Sequence, residues 1–262
     1  MLRALNTAAT GMKVQELTVD NISNNLANAN TTGFKKSRLE FEDLLYLNLG
    51  NSTGQATPEN QVSGELLIGS GARSVANLKT FSQGSLEDTQ RELDVAIEGE
   101  GFFQLSYRDN ELRYTRDGSF KIDAQRRLVS AHGYLLQPAI TLPENAMKTY
   151  IGRDGTVSVA LQGQDQLQVI GEISLTRFPN PAGLLSEGDN LYRQSSASGE
   201  PIANKPGVGG NGNLNQNSLE RSNVDVVSEM VRLITAQRAY EINSKVIRSG
   251  DEMMTMVNNL VR

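Results

Sequence analysis

The spacing of apolar residues at the two ends constrains this chain more than any other feature. Toward the C-terminus one seam holds Val226, Met230, Leu233, Ala236, Tyr240, Ile247, Met254, Val257 and Val261. A second seam beside it holds Val227, Val231, Ile234, Ile242, Val246, Met253 and Leu260. Steps of three and four return to one face of an α-helix, so the pattern predicts a helix running to the last turn. Ser222-Asn223-Val224-Asp225 offers a hydroxyl cap with a carboxylate three residues on, which sets the helical segment at 222–262. Two adjacent seams are more than one partner helix can cover. The remaining apolar face therefore predicts contact with helices of other copies.

At the other end Leu2, Leu5, Ala9, Met12, Val19 and Leu26 recur at similar steps, with a polar Glu16 breaking the series. This predicts one helix with a narrow seam, from Leu2 to Asn28, about 40 Å long at 1.5 Å per residue. The run from Asn28 to Gly33 should end it, because Asn and Gly accept the left-handed conformation and Thr resists continuation. Between the ends the pattern becomes short alternating strands, at Leu93 to Ile97, Phe102 to Tyr107, Glu111 to Thr115, Phe120 to Ile122, Leu128-Val129, Tyr134 to Leu136, Tyr150-Ile151, Thr156 to Val159 and Leu167 to Phe178. Arg116-Asp117-Gly118 and Arg153-Asp154-Gly155 both read as hairpin turns. Leu49 to Gly64 and Ser195 to Asn217, rich in Gly, Asn and Ser, read as connectors. The fold class expected is α+β: terminal helices 1–30 and 222–262 lying side by side, an extended region 31–76, a mainly-β domain 77–204 and a return connector 205–221.

Composition narrows the chemistry. The 262 residues include no Cys and one His, which excludes disulfides, thiolate ligands and a cysteine nucleophile. A net charge of -5, with no basic run longer than Lys35-Lys36, argues against nucleic acid as a partner. The N-terminal segment does not read as a cleaved leader, and no stretch approaches the roughly 20 apolar residues of a membrane span. Gly207 to Gly212 fits G-x-G-x-x-G, but Pro206 precedes it where a strand should, so it reads as a connector. His132 lacks a serine on a strained turn and reads as a turn or edge residue. The carboxylates Asp94, Glu98 and Glu100 read as strand-edge charges, with paired acids for glycoside chemistry the alternative. Met253, Met254 and Met256 sit at helical spacing and suggest adaptable packing. Neither a catalytic residue, a metal ligand set nor a cofactor site is expected.

Five stretches, in order, carry a resemblance. Asn24 to Lys36, which contains Asn28, Asn30, Thr31, Thr32, Gly33 and Phe34, resembles the N-terminal signature of the bacterial flagellar rod and hook axial proteins. Gly99 to Phe103, Tyr114 to Phe120, Gly133 to Leu136, and Asn223 to Asp225 leading to Ala236 to Glu241 are similar to the same family. Length and Ile68 to Arg73 point within it to the distal rod. The resemblance implies a self-assembling tubular drive shaft, with the paired terminal helices as a coiled-coil-like inner tube and the β domain outside. It further implies contact with proximal rod and hook-side axial proteins and with ring bushings, passage through the flagellar type III export apparatus, and stiffening by the insertion at 47–61. A hook or proximal-rod subunit, or a glycan-binding or muralytic β domain anchored by helices, are the alternatives.

Overall fold

The computed structural model describes residues 2–48, 67–108, 111–162 and 166–260. The connector read at 49–64, the insertion at 47–61 beyond Asn48, the tip of the turn at 109–110 and Val261 lie outside the described residues. Two compact units result, one of Met1–Leu26, Ser37–Leu78 and Val226–Arg262, the other of Ala27–Lys36 and Lys79–Asp225.

The first unit holds two long helices, α1 (Leu2–Ala27) and α2 (Val226–Leu260). The α2 helix starts at Val226, so Ser222 lies too far upstream to cap it. Its hydroxyl instead accepts the Val224 N–H at 3.3 Å and shapes the turn before the helix. Strands Ser37–Asp43 and Ala72–Lys79 form a two-stranded sheet, and Tyr46–Asn48 pairs with Leu67–Gly69. Sequence reading passed over these four strands, although Leu39 and Phe41 alternate with Glu40 and Glu42 in the first of them.

The second unit is β-rich. Phe102–Ser106 lies at the centre of a nine-stranded antiparallel sheet, between Leu112–Thr115 and Leu135–Gln137. Its alternation puts Phe103 and Leu105 on one face, in a core with Val95, Ile97, Leu136 and Val157. Phe102, on the other face, packs edge-on with Phe178 at 5.9 Å in a smaller aromatic cluster with Tyr114 and Tyr192. Arg153-Asp154-Gly155 is a hairpin turn between Ala146–Ile151 and Thr156–Leu161, with Asp154 accepting the Thr156 N–H at 3.1 Å. Asp117-Gly118 is not. The strands on either side of it pair with other strands, and the Gly118 carbonyl receives the Val95 N–H at 3.1 Å. The expected return connector contains strands Asn213–Gln216 and Ser218–Glu220, which pair with Val95–Glu98 and Leu86–Asp88. Alternating Asn and Gln hid the first of these, although Leu214 is buried in the core.

Candidate assembly surface

Most of the apolar face expected on α2 is bare. Val226, Met230, Tyr240, Met254 and Val257 of the first seam are exposed, while Leu233 and Ile247 are half-buried. In the second seam Val227 is 71% exposed and Ile242 60%, with Val231, Ile234, Val246 and Met253 also open. Soluble single chains rarely leave so continuous an apolar stripe in water, because each such side chain forgoes about 1.5–3 kcal/mol of burial. On α1, Leu5, Met12, Val19 and Leu26 are half-buried, and the side chains of Leu2 and Leu260 lie outside the described residues.

The residues that α1 does bury are Ala8, Val14, Ile22 and Asn25, and those of α2 are Glu229, Ala236 and Gly250. These are mainly small or polar, and at three levels they bring the helices together. Asn25 Nδ2 lies 3.4 Å from Glu229 Oε2. A Cβ on Gly11 would sit 3.0 Å from Asn243 Nδ2, and one on Gly250 2.6 Å from Leu5 Cδ2. Numbers fall along one helix as they rise along the other, so the two run antiparallel. Sequence reading found the outer stripes together with Leu5 and Ala236, and passed over Gly11, Asn243 and Gly250.

The signature residues form a clamp inside the second unit. Gly33 has φ +68° and gives its N–H to the Glu220 carbonyl at 2.8 Å. A side chain there would meet the Asp117 nitrogen at 2.7 Å, so both conformation and space demand glycine. The Thr31 hydroxyl donates to Asn28 Oδ1 at 3.2 Å, Asn30 Oδ1 accepts from Arg221 at 3.1 Å, and the Thr32 carbonyl accepts from Asn190 at 2.9 Å. Phe34 is buried with the Lys79 ammonium 4.3 Å from its ring centre. At the centre Lys35 Nζ donates to Glu220 Oε1 and to the Ser82 carbonyl, each at 2.7 Å. Arg116 Nε donates to Glu220 Oε2 at 3.0 Å. Its Nη1 reaches the carbonyls of Gly99 and Gly101 at 2.8 and 2.7 Å. One buried carboxylate thus serves two buried cations. Burial, helped by the neighbouring Arg116 and opposed by Glu220, pushes Lys35 down to about 8. Asn223 closes the far side, accepting the Lys36 N–H at 2.8 Å and donating to the Thr80 carbonyl at 2.8 Å. Sequence reading noted Lys35 for its charge and as part of the signature, and placed Glu220 in a connector. No local signal pairs two residues so far apart in the chain.

Of the chemical candidates weighed from sequence, Asp94 is not the solvated strand-edge charge expected, being fully buried with Arg91 3.8 Å from its carboxylate, and the others sit in structural settings. His132 is exposed, 3.8 Å from Asp189. The loop at 207–212 closes on itself through Gly207 N–H to the Gly212 carbonyl at 3.0 Å and leads into a strand, not a helix that could receive phosphate. Glu98 pairs with Arg153 at 3.0 Å and Glu100 with Arg177 at 3.6 Å, both at the surface. Among the described residues no helix is long and apolar enough to cross a membrane.

Three family models match successive parts of the chain: flagella basal body rod protein over 5–35, flagellar hook protein FlgE/F/G D1 domain over 96–159, and flagellar basal body rod FlgEFG protein C-terminal over 215–260. The flagellar basal-body rod protein FlgG of Borreliella burgdorferi is 47% identical, covering 100% of both chains. The chain belongs to the flagellar basal-body rod protein FlgG family. Its relative in Buchnera aphidicola (subsp. Schizaphis graminum) is 45% identical over 99% of this chain and 100% of its own, and that of Caulobacter vibrioides 44% over 99% of each. The first and last family models cover α1 with its clamp, and α2, so the likeness holds at the two ends as well as in the β body.

Proposed function

We propose that this chain is a structural, non-enzymatic subunit of the distal rod of the bacterial flagellum, polymerising into a tube that carries torque from motor to hook. The observation that carries this reading is the open apolar face of α2, from Val227 to Val257, which only further helices could cover along its length. In this reading the segments 1–30 and 222–262 pack as a coiled-coil-like inner layer, and residues 31–76 and 205–221 link them to an outer β domain at 77–204. Leu2, Leu5, Met12, Val19, Leu26 and the first seam of α2 through Val261 form the contacts of that layer. Proximal rod and hook-side axial proteins bound the tube at its ends and ring bushings surround it. The subunit reaches that place through the flagellar export apparatus.

Purified full-length protein tests the reading when concentrated and viewed by electron microscopy. Straight tubes of uniform width are expected. Curved polymers would favour a hook-type subunit instead. A lone particle at high concentration, with both helices already protected from hydrogen exchange, would overturn the proposal.

A further inference from the structure

We propose that Glu229 is the register lock of the α1–α2 pair: a buried polar layer that forbids the two helices from slipping by one turn. Small residues recur along this interface, Gly11 opposite Asn243 and Gly250 opposite Leu5, and small residues tolerate sliding. The buried charged layer is the one at Asn25. Its side-chain amide is paired with the backbone of Ser37 in both directions, Nδ2 to the carbonyl at 2.9 Å and Oδ1 from the N–H at 2.9 Å. That pairing fixes which way Asn25 faces, and the group it meets on α2 is Glu229 Oε2 at 3.4 Å. Glu229 is 1% exposed, and its other oxygen accepts from Arg232 at 3.2 Å.

A slip of four residues along α2 replaces this layer by Asn25 against Leu233, and leaves Glu229 beyond the end of α1, which stops at Ala27. Gly11 would then face Ile247 in place of Asn243. The native register keeps the buried carboxylate and amide matched, and the slipped one takes Glu229 away from Asn25, which keeps its bond to the Ser37 carbonyl and sets its polar side chain against Leu233. This goes beyond the assembly reading and rests on it only for the consequence. A subunit whose ends slip would present its outer stripe at a different height to its neighbours, so the lock would also fix the geometry of the polymer.

The chain contains no cysteine, which makes cross-linking free of background. The pair Gly11→Cys with Asn243→Cys reports the native register, and Gly11→Cys with Ile247→Cys the slipped one, each read in soluble and sedimented full-length protein. With Glu229 intact, only the first pair should close. In Glu229→Leu the slipped pair should gain at least about tenfold relative to the native one, and Glu229→Gln, which keeps an acceptor for Asn25, should restore the native pattern. An unchanged ratio in Glu229→Leu overturns the proposal, and so does failure of the native pair to close in either fraction. A native cross-link in protein that never polymerises would sink the rod reading and leave the lock standing.

Discussion

Lys35 is the residue whose position says most about how the signature segment is tied to the β body. Its ammonium is enclosed with Arg116 around a single carboxylate, and of the two cations only the lysine can lose its proton in an accessible range. Its folded value of about 8 lies below the ordinary 10.5. Between those values the unfolded chain holds a proton that the folded chain has released, so this group adds stability as pH rises from about 8 to about 10.5 and adds none of this dependence below about 8. Denaturant unfolding of the wild-type chain and of Lys35→Met should therefore diverge across that window, the wild type gaining relative to the variant. Parallel pH profiles would refute the assignment. The signature around Lys35 was legible as a signature, and Gly33 as a turn glycine. The reason for its chemistry was not, because Glu220 and Arg116 reach Lys35 only through the folded sheet.

At the scale of elements, periodicity performed best where a helix has one wet and one dry side to contrast, and α2 was placed with its start four residues late of the expected cap. Periodicity left open which stripe meets α1. Side chains such as Val231, Ile234 and Ile242 carry a strong helical signal yet face water, while the contact surface includes Asn243 and Gly250, which carry almost none. This separation makes a clean test, since the outer stripe can be charged without touching the inner one. Ile234→Asp or Ile242→Asp should leave the melting temperature of the monomer unchanged and abolish sedimentable polymer. Burying an unpaired carboxylate costs several kcal/mol at every copy of the contact. Normal polymers from either variant would show that this face is not the one neighbours cover. The Ser37–Asp43 and Ala72–Lys79 strands were passed over: the first does alternate, Leu39 and Phe41 against Glu40 and Glu42, while in the second Val75 falls on the otherwise polar face.

For the whole molecule, the decisive boundary is where the body ends and the tube-forming tail begins. The expected division set the tail at 222, but Glu220 and Asn223 belong to the clamp, and α2 begins only at Val226. Two truncations separate these views. A chain stopped after Asp225 keeps the carboxylate between Lys35 and Arg116 and keeps Asn223 on the Thr80 carbonyl, so its β body should unfold at the same denaturant concentration as in the full chain. Without α2 it should also remain monomeric. A chain stopped after Asn217 loses strand Ser218–Glu220 and leaves two buried cations with backbone carbonyls but no carboxylate, which should cost the body about 3–5 kcal/mol. Equal stability of the two truncations would mean that the clamp is dispensable to the body, and polymer from the longer one would mean that α2 is dispensable to assembly. If instead the longer truncation is folded and solitary and the shorter one is not, the last 45 residues divide cleanly by physics, with a buried ion network on one side of Val226 and an unfinished apolar helix on the other.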